Sequence, residues 1–378
     1  ACLTTEVCGE HMQPGSHGST YGGNPPAMAV GNVVWDMIAN DDFLAEVRRV
    51  SGTLAQGLKS LADSHPDKVE GVTGKGLLTG LKMKADPKSL QGACRDNNLL
   101  VGVAGNNVLR LAPPLAPNIA SASALVRQAA SAGATFIATP EMTNLLDIRP
   151  GMARPKIVAQ DQDATLIAFR ALADELRAWL LLGSIAVALE DDDRFANRSF
   201  LIGPNGKIIT HYDKIHMFDV EVGDGQTYRE SRAYRPGDTA RLVSSAVGEI
   251  GMTICYDLRF PGLYRSLAQA GAQMFTVPAA FTRVTGEAHW HVLLRARAIE
   301  TGCFVIAPAQ GGTHEDGRET FGHSLIISPW GEILAEADGD EPGVIWADLD
   351  LDQVAEARAR IPSLGNNQVF GVTESGER

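Results

Sequence analysis

Two separated stretches of the chain carry the same local pattern, and this repetition limits the folds open to it. Ala132-Gly133-Ala134, five residues and Pro140 return as Ala270-Gly271-Ala272, five residues and Pro278. Each predicts a helix, a glycine stop and a strand. A second echo joins Leu201-Ile202-Gly203-Pro204-Asn205-Gly206-Lys207-Ile208 to Ile326-Ile327-Ser328-Pro329-Trp330-Gly331-Glu332-Ile333. Both read as an apolar strand, a Pro-x-Gly turn and a second apolar strand. Helix, strand and hairpin recurring in one order imply two related halves. Two such sheets bury their apolar faces most simply by packing face to face with helices outside. The expected fold is α/β, a four-layer α-β-β-α sandwich; chance similarity of short α/β pieces is the competing reading.

The chain ahead of these echoes has a different character. From Trp35 to Asp63 apolar residues recur at helical spacing, with Asp41 and Asp42 as start signals, which predicts two helices. A glycine-rich strand-like stretch (GVTGKGLLTGLKM), a helical stretch around Gln91 to Asn97 and short apolar runs LLVGV and VLRLA complete a small α/β unit. Pro113, Pro114 and Pro117 then break the pattern, so the boundary is expected within Ala112 to Asn118, dividing the chain into 1–115 and 116–378. A length of 378 residues accommodates two such domains.

Charge and cysteine usage narrow the function classes. The net charge of −12 disfavours a nucleic-acid partner, which needs a basic face. The longest apolar run, Ala178 to Leu189, is interrupted by Gly183 and Ser184 and is too short to cross a bilayer as a helix, so it reads as core. The opening residues lack the basic and apolar regions of a secretory signal, and a cytoplasmic location is expected. Cys2, Cys8, Cys94, Cys255 and Cys303 are few, odd in number and without CxxC spacing, which fits reduced thiols. The start at Ala1, without methionine, points to a fragment or a fusion.

Three residues stand where chemistry is expected. In Glu249 to Cys255, Ile250, Met252 and Ile254 share one strand face and Gly251, Thr253 and Cys255 the other. Cys255 ends the strand, and Pro261 suits the first turn of the following helix. A lone buried cysteine is ordinarily inert; one at a strand-to-helix connection can project above a sheet as a nucleophile, with the Tyr256 N–H facing an oxyanion. Glu141 follows the strand Thr135 to Thr139 at the Pro140 turn, where burial is expected to raise its pKa and make it a general base; an ordinary surface or capping role is the bland alternative. Lys214 closes the run KIITHYDK, where it can hold a carboxylate or stabilise developing negative charge; taken alone, it reads as a solvated lysine.

The runs TPEMTN, YDKIHMFDVEV and GMTICYDLRFP resemble the nitrilase (carbon-nitrogen hydrolase) superfamily over roughly residues 118–372. That resemblance implies a Glu-Lys-Cys triad of Glu141, Lys214 and Cys255 and places a supporting glutamate at Glu230. TGEAHWHVLLRARAIET and FGHSLIISPWGEIL resemble the amidase branch that includes deaminated glutathione amidase and omega-amidase, which cleave terminal amides of α-keto acid compounds. By this similarity Arg259, Phe281 and Thr285 line the substrate pocket, Arg259 offering a fork for a carboxylate; a structural salt bridge is its alternative role. The implied reaction hydrolyses an amide through a thioester on Cys255, with water as co-substrate, no cofactor and a homo-oligomeric enzyme. His289 and His291 are two apart, but no third ligand has suitable spacing, so no metal is expected. A nitrile or N-carbamoyl substrate remains open, since the same triad attacks either carbon.

GSHGSTYGGNPPAMAVGNVVWD, GKGLLTGLKM and NNVLRLAPPL resemble the C-terminal portion of acetylornithine aminotransferase, a class III aminotransferase, over residues 1–115. In that family the counterparts of Ser19 and Thr20 help bind the phosphate of pyridoxal phosphate, and the Schiff-base lysine belongs upstream of Ala1. An inactive remnant is expected. A pyridoxal-phosphate enzyme or cofactor-binding module without hydrolase activity is the rival of another class. GKGLLTG misses the GxGxxG spacing and reads as a tight turn. The resemblance to the hydrolases also implies an opening strand just before Asn118; Val108 to Ala112 is the candidate replacement, and failing it a core strand is missing.

Overall fold

Asn24 has an extended backbone, and its side chain accepts the Ala27 N–H at 2.9 Å. Pro25 follows where no intrahelical donor is required, so helix α1 (Pro25–Ile38) begins there. The computed structural model describes residues 24–39, 41–96, 99, 101–111, 117–146, 153–223, 227–314, 316–366 and 368–373. It divides into two compact units, Ala1–Leu115 and Ala116–Arg378. Ser19 and Thr20 lie outside the described residues.

In the first unit α2 (Asp41–Ser64) precedes β1 (Val69–Lys75) and β2 (Leu78–Met83), a hairpin turned through Gly76. After α3 (Lys88–Asp96) come β3 (Gly102–Ala104) and β4 (Val108–Leu111), giving an antiparallel sheet in the order β1-β2-β4-β3. Leu58 of α2 packs with Val69, Leu81, Met83 and Leu109 as its core. Strand β4 pairs with β2 on one side and β3 on the other. With both edges occupied, Val108–Leu111 has no free edge with which to open the sheet of the second unit, which corrects that expectation; Ala112 lies outside the described residues.

The second unit starts with α4 (Pro117–Ser131), β5 (Phe136–Ala138) and α5 (Ala164–Leu176). Asp163 caps α5 by accepting the Leu166 N–H at 2.9 Å. Then β6 (Trp179–Ala188), β7 (Phe195–Ile202) and β8 (Ile208–Asp213) complete a sheet in the order β5-β6-β7-β8. A small hairpin, β9 (Asp219–Glu221) and β10 (Thr227–Arg229), leads to β11 (Arg241–Ser245), β12 (Gly248–Met252), α6 (Pro261–Gln269) and β13 (Met274–Thr276). Helix α7 (Arg283–Thr301) and β14 (Phe304–Ala307) precede the hairpin β15 (Gly311–Thr313) and β16 (Glu319–Phe321), then β17 (Leu325–Ile327), β18 (Ile333–Glu336) and α8 (Asp352–Arg360). The second sheet runs β11-β12-β13-β14-β17-β18.

Alternation along β6 builds the layers. Leu180 and Leu182 join Phe169 and Leu172 of α5 on one face. Leu181 faces the other way and shares a buried cluster with Leu201, Tyr212, Met252, Val277 and Ile327, which joins the two sheets. Leu267 of α6 and Trp290 and Leu294 of α7 belong to the same cluster and cover the second sheet. The four layers are therefore helix, sheet, sheet, helix. Both echoes occupy equivalent places: β5 pairs in parallel with β6 as β13 does with β14, and Gly133, Gly206, Gly271 and Gly331 all have positive φ. The halves differ at one edge. Strand β13 is flanked by β12 as well as β14, whereas among the described residues β5 pairs only with β6.

Candidate active site

The corner after β5 is held by the opposite strand. Thr139 donates its N–H to the Leu181 carbonyl at 3.0 Å, and its hydroxyl accepts the Gly183 N–H at 3.0 Å. Gly183 lies in a register shift of β6 between Leu182 and Ile185, and a Cβ there would stand 1.8 Å from the Thr139 carbonyl oxygen. Only glycine admits this approach. Ser184 accepts the Met142 N–H through its hydroxyl and the Thr143 N–H through its carbonyl, each at 2.9 Å. Met142 takes a φ of 56°, which turns the chain sharply after Glu141. The Gly183-Ser184 break in the apolar run is thus the support for Glu141, which is buried.

Lys214 follows β8, and its Nζ donates to Glu141 Oε1 at 3.0 Å and to Glu230 Oε1 and Oε2 at 3.0 and 2.9 Å. Asn197 of β7 donates its amide to Glu141 Oε1 at 2.8 Å and to Glu230 Oε1 at 3.2 Å. The Phe218 N–H donates to Glu230 Oε2 at 2.7 Å, and the Ala280 N–H to Glu141 Oε2 at 2.9 Å. Gln310 donates to the Glu141 carbonyl at 3.1 Å. The ammonium is fully desolvated, and paired carboxylates with further donors are what such a buried charge requires.

Cys255 lies three residues beyond Met252, the last ladder residue of β12, so it follows the strand rather than ending it. The chain stays beside β13, with Thr253 N–H donating to the Thr276 carbonyl at 3.1 Å and Cys255 N–H to the Pro278 carbonyl at 2.9 Å. A short 3-10 helix, Cys255–Arg259, starts at Cys255 itself, whose φ of 48° is left-handed. Asp257 secures this bend: its carboxylate accepts the Ile254 N–H at 2.9 Å, the Tyr212 hydroxyl at 2.7 Å and the His216 N–H at 3.0 Å. His216 in turn stacks on Phe260, ring centres 3.5 Å apart. A nucleophile on a strained strand-to-helix turn stands clear of the sheet.

Electrostatics assign the resting protons. Burial works against the Glu141 carboxylate, but the Lys214 charge and hydrogen bonds from Cys255, Lys214 and Asn197 outweigh it, leaving its pKa below the ordinary value. The expected upward shift is corrected for that reason. Burial also opposes the Lys214 ammonium, yet Glu141 and Glu230 raise its pKa well above the ordinary range. Burial, and then the Glu141 charge, push the Cys255 thiol well up, against the pull of Lys214 and the Ala280 N–H. Near neutral pH the cluster holds a protonated thiol beside an ionised carboxylate and an ammonium. Such a set can move a proton from sulfur to oxygen as sulfur attacks an electrophile.

Glu141, Lys214, Glu230 and Cys255 are brought together. Tyr256 packs its ring against Phe218 and Phe260 at 5.2 and 5.5 Å. Arg259 lies over the Tyr256 and Phe281 rings at 5.8 and 5.3 Å and meets His289 Nδ1 at 3.2 Å, with no carboxylate partner among the described residues. Phe281 packs on Trp290 at 4.9 Å. Thr285 is buried, its hydroxyl 2.9 Å from that of Thr282, the N-cap of α7. The residues not anticipated are Asn197, Phe218, Ala280 and Gln310. Three act through groups every residue carries or through a common amide, and Asn197 reads in sequence as an ordinary polar strand position.

Two families of known proteins match the chain, and the matches overlap over residues 100–130. Residues 100–359 match the carbon-nitrogen hydrolase family and residues 1–130 the class-III aminotransferases. The deaminated glutathione amidase of Synechocystis sp. (strain PCC 6803 / GT-S) is 41% identical over 267 residues, 68% of this chain and 94% of its own length. Among solved structures, the NitFhit protein of C. elegans aligns with a TM-score of 0.61 at 31% identity, covering 66% of this chain and 61% of its own. Saccharomyces cerevisiae Nit3, a member of branch 10 of the nitrilase superfamily, gives 0.58 at 28% identity, covering 65% of this chain and 88% of its own.

Proposed function

The chain belongs to the carbon-nitrogen hydrolase family, and on that premise we propose that it hydrolyses the terminal amide of a small carboxylate-bearing substrate of the deaminated glutathione or 2-oxoglutaramate type. One observation carries the reading: a buried Lys214 ammonium shared by two carboxylates, Glu141 and Glu230, beside a buried Cys255 whose thiol pKa the Glu141 charge helps push up.

In the proposed reaction Glu141 takes the thiol proton as Cys255 sulfur bonds to the amide carbon and the carbonyl electron pair moves to oxygen. Lys214 and the Tyr256 N–H stabilise that oxyanion. Collapse breaks the carbon-nitrogen bond, and ammonia departs with the proton from Glu141. Glu141 then deprotonates water, which attacks the thioester; the carboxylic acid leaves and the thiol is restored. Glu230 holds Lys214 in place, and Arg259, above Phe281, offers its guanidinium to the substrate carboxylate.

The first unit is proposed to add no chemistry. Among its described residues Lys59, Lys68, Lys75, Lys84 and Lys88 are exposed and Lys82 pairs with Glu70 at 3.6 Å, whereas a Schiff-base lysine needs a desolvated setting. Pyridoxal phosphate thus finds no fitting lysine among the described residues of this unit. Among them, too, no helix is long and apolar enough to cross a membrane. The proposal further takes the enzyme to be a cytoplasmic homo-oligomer with no nucleic-acid partner, in line with free thiols at Cys94, Cys255 and Cys303 and the acidic net charge.

The test is ammonia release from 2-oxoglutaramate, deaminated glutathione and a simple nitrile, with Cys255→Ala as control. The keto-acid amides are expected to be turned over and the variant to be inactive. Release from the nitrile but from neither amide would overturn the substrate class, and an unaffected variant would overturn the nucleophile.

A further inference from the structure

Outside the active site, residues remote in sequence converge on a second cluster. His291 of α7, His323 just after β16 and Glu336 of β18 present ligand atoms that all lie within 4.8 Å of one another. His291 Nε2 is 2.8 Å and His323 Nδ1 3.0 Å from the same oxygen, Glu336 Oε1. The sequence pairs His291 with His289 by spacing; in the structure His291 meets His323 and Glu336 instead. His289 faces Arg259, and the partners of His291 come from elements more than thirty residues downstream, where sequence spacing carries no signal.

The cluster is built in place. His323 has a φ of 52° and its carbonyl accepts the indole N–H of the fully buried Trp290 at 2.7 Å. Its ring stacks on Phe321 at 4.2 Å, and Gly339 approaches so closely that a Cβ there would meet His323 Nε2 at 2.8 Å. The His291 ring meets the rings of Phe321 and His323 edge-on, at 6.0 and 5.6 Å. The three side chains are 31%, 32% and 37% exposed, so water can reach a fourth position while the backbone supports stay covered.

We propose that His291, His323 and Glu336 bind a zinc-class divalent ion, with solvent completing the coordination. Two imidazoles and one carboxylate are borderline donors that suit Zn2+, Co2+ or Ni2+ and not the all-oxygen preference of Ca2+ or Mg2+. Zinc bonds of about 2.0 to 2.2 Å to nitrogen and oxygen set neighbouring ligand atoms about 3.3 Å apart around a tetrahedral ion. The contacts of 2.8 and 3.0 Å need open only by a few tenths of an ångström. No step of the amide hydrolysis uses the ion. It ties together α7, the segment between β16 and β17, and β18.

The full chain carrying Cys255→Ala, to remove the buried thiol as a competitor, is treated with a chelator, dialysed and titrated with Co2+, then with Zn2+. Expected is a saturable visible band of nitrogen and oxygen coordination at one equivalent, displaced by Zn2+ and lost in both His291→Gln and His323→Gln. A band that survives in either variant, or no saturable band, overturns the site and leaves a hydrogen-bonded staple. A second measurement needs no variant at the cluster. Zn2+ is expected to protect His291 and His323, but not the exposed His289, from diethylpyrocarbonate, mapped by peptide mass; equal labelling with and without the ion overturns the proposal.

Discussion

Replacing Gly183 by alanine tests how the support of Glu141 depends on the approach of β6 to the corner after β5. The added methyl carbon would lie 1.8 Å from the Thr139 carbonyl oxygen, 2.5 Å from that of Pro140 and 2.7 Å from Pro278 Cβ. The first two are backbone atoms, so no side-chain rotation relieves the clash. Reaching an ordinary contact takes a shift of about 1.6 Å, shared between β6 and the Thr139-Pro140 segment. The Thr139 and Ser184 hydrogen bonds that hold the corner stretch with it. Overpacking of this kind costs about 1 to 3 kcal/mol, and a displacement of about 1 Å at a reacting group lowers turnover about 100-fold. Ammonia release with saturating substrate gives kcat, and thermal unfolding followed by circular dichroism gives the stability change. The expected variant is folded, melts several degrees lower and loses most of kcat. A variant with both properties unchanged would refute the claim that β6 sets the position of Glu141.

Titration gives a further check. The lowered Glu141 pKa contributes stability above the ordinary 4.5, lost as pH falls through the folded value; the raised Lys214 pKa contributes below 10.5, lost as pH rises through its folded value. The difference in melting temperature between the native chain and a Glu141→Gln, Lys214→Met double variant is therefore expected to be flat between these limits and to shrink outside them. The acid limb of kcat/KM is expected below 4.5; a limb at about 6 assigned to Glu141 would contradict the shift. Asn197→Leu removes one amide donor from two carboxylates, at about 1 to 3 kcal/mol in stability. Asn197→Asp places a third carboxylate beside them, and its acid limb is expected to move upward relative to the native profile. An unchanged profile in Asn197→Asp would show that Asn197 does not govern the charge of Glu141.

Much of this is legible in the amino-acid sequence. Gly271 and Gly331 repeat the offices of Gly133 and Gly206 because a helix stop and a tight turn require residues that accept positive φ, and such requirements are written locally. Glu141, Lys214 and Cys255 carry a related signal: each follows a strand by one to three residues, and strands and their exits are marked by short-range pattern. Other features depend on which strand becomes whose neighbour. Val108 to Leu111 is a sound strand, and only its pairing with both β2 and β3 excludes it from the first sheet of the second unit. Likewise the direction of the Glu141 shift turns on Lys214 and Asn197, remote in the chain, where burial alone points the other way. The His291, His323 and Glu336 cluster lay hidden because three separate elements supply it.

The hydrogen bond from the Ala280 N–H to Glu141 spans 139 residues and crosses from the second sheet to the first. Glu141, Asn197, Lys214 and Glu230 precede β11, while Cys255 and Ala280 follow it. Neither half of the sandwich alone carries both the thiol and its proton acceptor. Contacts this distant close late, after local structure has formed. In refolding, recovery of turnover is thus a clock for the docking of the halves: helical and strand signals return first, and chemistry begins only when the sheets meet.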